Sequence, residues 1–171
     1  MKVIFLDVDG VLNCSTTESN SPNGFIGVDD ILLNNLKTVL DKTDAKIVLS
    51  SSWKTLNEND SDYLYLIEKL ESIGADIVGK TVDATGTFNR GAGIETYLLD
   101  FEDDISEFVV LDDELFDFLS KDILKGHIVI PKDYVGLTEE NMNKAIEILN
   151  GNLIYEDFSD RSMYLAGYHH G

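Results

Sequence analysis

Three short polar segments carry the residues best suited to chemistry: Asp7-Val8-Asp9-Gly10, Ser50-Ser51-Ser52 with Trp53-Lys54 behind it, and Asp112-Asp113. Each comes directly after a compact run with a buried-strand pattern, namely Val3-Ile4-Phe5-Leu6, Lys46-Ile47-Val48-Leu49 and Phe108-Val109-Val110-Leu111. If these runs are strands of one parallel sheet, their carboxyl ends share an edge, which is where such sheets bind ligands. Asp7, Asp9, Asp112 and Asp113 would then repel one another unless a cation neutralised them, and an all-oxygen shell suits a hard ion such as Mg²⁺. In Asp-x-Asp-Gly the glycine lets the chain leave sharply, so that both carboxylates can face one pocket. One can attack while the other handles protons. The alternative, four unrelated loop caps, requires the same coincidence at two strand ends.

The rest of the sequence supplies the elements that would position these groups. Short apolar runs alternate with amphipathic stretches, the pattern of a mainly parallel α/β sheet. Asp29 or Asp30 can cap a helix bearing Leu32, Leu36, Val39 and Leu40, and a second helix from about Ser61 presents Tyr63, Ile67 and Leu70 and stops at Gly74. A third strand is predicted at Ala75 to Val78. A short helix marked by Ile94 and Leu98 comes after the polar loop that contains Arg90. His127 to Ile130 reads as a fifth strand, and Thr138 caps a last helix with Met142, Ala145, Ile146 and Leu149 inward. From Tyr155 to Gly171 the pattern weakens into a partly ordered extension.

The size, 171 residues, suits one domain with a proper core, and 43% apolar content excludes global disorder. Thirteen basic against 32 acidic residues give a net charge of −19, which disfavours an extended nucleic-acid groove. No apolar run is long enough to span a bilayer, so no membrane association is expected, and the start of the chain leads into a strand and not a signal peptide. A single cysteine, Cys14, rules out an internal disulfide and agrees with a cytoplasmic location. No Gly-x-x-x-x-Gly-Lys-Ser/Thr loop is present, which argues against a phosphate-binding-loop nucleotide hydrolase.

The segment Phe5-Leu6-Asp7-Val8-Asp9-Gly10-Val11-Leu12-Asn13 resembles the first motif of the haloacid dehalogenase-like (HAD) superfamily of aspartate-nucleophile phosphatases. Ile47 to Lys54 resembles the second motif and Val110-Leu111-Asp112-Asp113-Glu114 the acidic fourth, in the family's order. The chain is most similar to the small cap-poor HAD domains associated with RNA-repair proteins, with Gly136-Leu137-Thr138 also in keeping. The resemblance implies a Rossmann-like three-layer sandwich with a five-stranded mainly parallel sheet, a minimal cap or none, and a domain over residues 1–154 followed by the 155–171 extension.

Residue by residue, the resemblance makes Asp7 the nucleophile of an aspartyl-phosphate intermediate and a Mg²⁺ ligand, and Asp9 the general acid and base whose backbone carbonyl also binds the metal. Asp112 and Asp113 would complete the metal site. Ser51 would grip the phosphoryl group, with Ser50 as the alternative register. Arg90 would stabilise phosphoryl charge as the third motif, with Lys54 and Lys80 as rivals. The implied activity is a magnesium-dependent phosphomonoesterase acting on an exposed terminal phosphate, such as a nucleic-acid end or a nucleotide. The competing readings are a weak or inactive HAD-fold interaction protein and a phosphoprotein phosphatase. Trp53 could stack on a base, but an aromatic directly after a strand more often covers the core edge.

Overall fold

A computed structural model describes residues 1–83 and 89–159. Five strands form one sheet: β1 (Lys2–Leu6), β2 (Lys46–Leu49), β3 (Ile77–Lys80), β4 (Glu107–Leu111) and β5 (Ile128–Val129). Their order is β3-β2-β1-β4-β5, and every neighbouring pair is parallel. Four helices connect them: α1 (Asp30–Thr43), α2 (Ser61–Ser72), α3 (Arg90–Asp100) and α4 (Glu139–Leu149). No helix among the described residues is long and apolar enough to cross a membrane.

Strand alternation divides the core into two halves. Ile4, Leu6, Ile47, Leu49, Val109 and Leu111 pack with Leu36 of α1, Leu66 and Leu70 of α2, and Ala145 and Ile148 of α4. The other parity, Val3, Phe5, Val48, Phe108 and Val110, packs with Ile94 and Leu98 of α3 and with Phe118 and Leu124 of two short 3₁₀ turns. The central strands are therefore apolar on both faces, which is why they read as continuous hydrophobic runs.

The helix ends reflect local chemistry. Asp29 accepts hydrogen bonds from the Ile31 and Leu32 amides to start α1. Thr138 and Asn141 form a reciprocal capping box at α4. At the end of α2, Gly74 takes φ +81°, its N–H reaches the Glu71 carbonyl and the Ala75 N–H reaches Leu70. That closure holds Ala75 in the helix cap, so β3 starts at Ile77, two residues later than predicted. Tyr63 and Ile67 of α2 and Ile146 of α4 pack half-buried against the core as expected, while Leu66 and Ile148 beside them are the fully buried apolar residues.

No second domain interrupts the sheet among the described residues. The segment between Asp7 and α1 holds one small hairpin, marked by an antiparallel bridge between Asn20 and Ile26. Most of the expected extension, including His169 and His170, lies outside the described residues. Its described beginning docks on the domain, with Glu156 paired to Lys144 at 2.7 Å and Phe158 against the α3-side core.

Candidate functional site

The sheet ladder continues one residue past four strands and so fixes the orientation of the polar residues at their ends. The Asp7 amide donates to the Leu111 carbonyl at 2.9 Å, the Ser50 amide to Leu6 at 3.0 Å, the Thr81 amide to Leu49 at 3.0 Å and the Asp112 amide to Val129 at 3.3 Å. With the pleat preserved, Asp7 shares the parity of Val3 and Phe5, Ser50 that of Val48, and Asp112 that of Phe108 and Val110. All three belong to the face covered by α3. The side chain at the head of α3 is Arg90.

Asp7, Asp112 and Asp113 each offer a carboxylate oxygen within 4.8 Å of the others. Asp113 occupies the space where any side chain at residue 10 would begin, since a Cβ added to Gly10 would collide with its carboxylate, and Gly10 itself sits at φ +80°. The glycine of Asp-x-Asp-Gly is thus needed twice, for the left-handed turn and for the approach of Asp113.

Burial sets the charge state of these acids when no metal is bound. Burial, then repulsion from Asp112, raises the Asp7 carboxyl well above its ordinary value, against the pull of Arg90. Asp112 is pushed up to about 7 by burial, only partly offset by Arg90. Asp113 is pushed up to about 8 by burial and by Asp7. A cluster that retains protons near neutrality is one in which a hard cation can replace them. One guanidinium against three carboxylates also leaves an excess of two negative charges when all are ionised, the charge of one divalent ion. Donor type, spacing and charge all fit Mg²⁺.

Arg90 bridges the acids, with Nη1 at 2.7 Å from Asp112 and 3.3 Å from Asp7. Its guanidinium lies over the Phe116 ring at 4.4 Å. Asn89 makes no side-chain cap; the start of α3 is instead held by Asp117, whose two carboxylate oxygens accept from the Gly91 and Ala92 amides at 2.6 and 3.1 Å. Sequence reasoning misses this anchor. It lies 25 residues or more away in the chain, beyond the reach of any local capping signal.

Around this centre the serines and lysines divide. Ser51 begins a 3₁₀ turn over Ser52–Thr55, and its hydroxyl accepts from the Trp53 amide at 3.2 Å. Ser50 is fully buried and its hydroxyl has no partner. Lys54 is buried too, donating to Thr81 at 2.7 Å and Asp83 at 3.1 Å, and burial lowers its pKa. Arg90 and Asp112 both act on it electrostatically, so it borders the acidic centre. Lys80 is exposed and donates to the Lys54 carbonyl at 3.3 Å. Among the described residues, Ser50 Oγ and Arg90 Nε are the two buried side-chain polar atoms left without a partner.

Asp9 stands apart from the buried cluster. Its carboxylate is solvent-facing, accepting from Trp53 Nε1 at 3.1 Å on one oxygen and from Asn13 Nδ2 at 3.0 Å on the other. Asn13 also accepts the Gly10 amide at 2.9 Å, so one side chain ties the turn after β1 to Asp9. Trp53 is largely buried in the core, and only an edge of it reaches Asp9.

Comparison with curated proteins and with solved structures returns no match. Residues 3–142, which include every polar strand end described above, match the family described as the HAD domain in Swiss Army Knife RNA repair proteins, and the chain belongs to that family.

Proposed function

We propose that the chain is a magnesium-dependent phosphomonoesterase that works through an aspartyl-phosphate on Asp7 and acts on an exposed terminal phosphate, that of a nucleic-acid end or a nucleotide. The observation that carries this reading is the pairing of opposites at one sheet edge: three clustered carboxylates beside Arg90, with two buried donors, Ser50 Oγ and Arg90 Nε, that have no acceptor. Leaving a buried polar atom unpaired costs about 1–3 kcal/mol, so two such atoms at one sheet edge indicate a ligand with acceptor oxygens. A phosphoryl group answers that description, and the reading rests on it.

In this reading Asp7, Asp112 and Asp113 would hold Mg²⁺ with the Asp9 carbonyl, and the ion when bound would neutralise charge on the incoming phosphate and the crowded acids. Asp7 attacks phosphorus and the ester oxygen leaves with a proton from Asp9. Asp9, ionised by that transfer, then takes a proton from the water that hydrolyses the acyl phosphate and restores Asp7. Arg90 offers its free Nε to the equatorial oxygens, and Lys54 adds a second positive charge behind it. Ser51, whose hydroxyl accepts from the Trp53 amide and keeps its own O–H to donate, would grip the phosphoryl group, with Ser50, on the face of Asp7 and Asp112 and without a partner, as the alternative. Lys80, spent on bracing Lys54, is not needed.

The family description names RNA-repair proteins, and the site lacks a large cap among the described residues, which together support a phosphate at the end of a larger molecule. The test is phosphate release from 3′- and 5′-phosphorylated oligonucleotides, mononucleotides, phosphopeptides and sugar phosphates, with and without a chelator. Turnover of terminal nucleotide phosphates that stops on chelation and returns with Mg²⁺ is expected. Release from none of them would favour an interaction protein, and preference for phosphopeptides would favour a phosphoprotein phosphatase.

A further inference from the structure

A groove of about 390 Å³ opens beside Asp9, between the small hairpin and the turn after β2. Phe25, Ile26, Trp53 and Leu56 give it an apolar lining, to which Asp62 also belongs. Phe25 and Ile26 are 61% and 48% exposed, so the core does not require them there. The hairpin that carries them is nevertheless firmly held: the Asn23 amide donates to Asp62 at 2.9 Å, the Val28 amide to the Tyr65 hydroxyl at 3.0 Å, and the Gly27 amide to the Ser19 carbonyl at 2.8 Å. An ordered hairpin that holds two bare apolar side chains over the groove beside Asp9 is built to cover something.

The lining says what that is. Its charged residues are Asp9 and Asp62, and it contains no Lys or Arg. A second phosphate, a sugar diphosphate or an acidic peptide would meet repulsion there. A flat, uncharged ring fits the apolar lining, and one with polar edges also meets the exposed Ser52 in that lining. Resting on the phosphohydrolase reading above, we propose that the groove receives the base of a single nucleotide whose phosphate reacts at Asp7, with Phe25 as the stacking surface. The occupant is one nucleotide, and the strand beyond it, if any, stays in solvent, in keeping with a net charge of −19.

Stacking of a base on an aromatic side chain contributes about 1–3 kcal/mol, which spans roughly fivefold to 150-fold in affinity. The test compares kcat/KM for a nucleoside monophosphate with that for glycerol phosphate, which has the ester but no ring. The native chain is expected to prefer the nucleotide by at least about tenfold, Phe25→Ala to lose most of that preference, and Phe25→Trp to restore it. No preference in the native chain, an unchanged ratio in Phe25→Ala, or a stronger preference for phosphotyrosine would overturn the proposal. Should no ester be hydrolysed, the phosphatase reading fails, but the groove is still tested through the chain's single tryptophan. Trp53 emission quenched by nucleoside monophosphate, and not in Phe25→Ala, would support the groove; emission unchanged in the native chain would contradict it.

Discussion

Replacing Asp7 by Asn is expected to abolish phosphate release while making the metal-free protein more stable in mild alkali. The first effect is chemical. An amide is not a competent nucleophile toward phosphorus, and loss of a nucleophile that no neighbour can replace costs on the order of 10⁴-fold or more in kcat. Asp9 cannot substitute, because its carboxylate is held outside the buried cluster by Trp53 and Asn13.

The stability effect comes from linkage, and its sign is opposite to that of a salt-bridged acid. Asp112 and Asp113 carry folded-state values of about 7 and about 8, and Asp7 is also raised, against about 4 in an unfolded chain. Below pH 4 both states are protonated and the cluster contributes nothing. Between about pH 4 and 8 the unfolded chain has lost protons that the folded one still holds, so stability falls as pH rises, by up to about 1.4 kcal/mol per pH unit for each proton. Asp7→Asn removes one of these acids and one cause of the high Asp113 value. Thermal unfolding under chelation should therefore show a higher Tm for Asp7→Asn than for the native chain at pH 8, with the two converging near pH 4. Added Mg²⁺ should raise the native Tm more at pH 8 than at pH 5, because protons occupy the site in acid. Equal pH profiles for the two proteins would contradict the charge state assigned to the cluster.

Arg90→Met should lose both activity and stability. The guanidinium is buried with Asp7 and Asp112, and a methionine of similar length leaves both carboxylates without their countercharge. Removing one partner of a buried pair typically costs about 3–5 kcal/mol. Here the acids can protonate instead, so the loss should be largest near pH 8 and smaller at pH 5. Loss of a positioned donor to the transferring group lowers kcat by about 10²–10³. Arg90→Lys should recover part of the stability and less of the rate, since an ammonium cannot keep the contact to Asp112 and also present a second fixed donor in the plane of the first. Denaturation curves at the two pH values, with kcat measured alongside, check both. A variant as active as the native chain would remove Arg90 from the site.

Legibility in the sequence tracks locality. The central strands are clear because β1, β2 and β4 are apolar on both faces, and each ends in an abrupt polar change, at Asp7, Ser50 and Asp112. Caps at Asp29, Gly74 and Thr138 are clear because their partners are two to four residues away. The start of β3 is displaced from its expected position since apolar Ala75 looks like strand but is bonded into the end of α2. Ser50 and Ser51 look alike in the sequence, and it takes the register, with Leu6 opposite Leu49 and the Ser50 amide on the Leu6 carbonyl, to show that Ser50 continues the pleat while Ser51 opens the 3₁₀ turn. Asp117 and Trp53 escape notice as supports because the groups they hold, the first amides of α3 and the Asp9 carboxylate, are distant in the chain. A carboxylate that reaches a helix start from a distant segment, and an indole on a distant carboxylate, leave no local mark in a sequence.

The claim on which the rest depends is that Asp7 itself becomes phosphorylated. Rapid mixing of the native chain, Mg²⁺ and a terminally phosphorylated nucleotide, followed by acid quench and peptide mapping, measures it directly. The account predicts an acid-stable, hydroxylamine-labile phosphate on the peptide containing Asp7, formed no more slowly than phosphate is released and absent in Asp7→Asn. Phosphate released at the same rate by Asp7→Asn, or a phosphoryl group mapped to another residue, would contradict it.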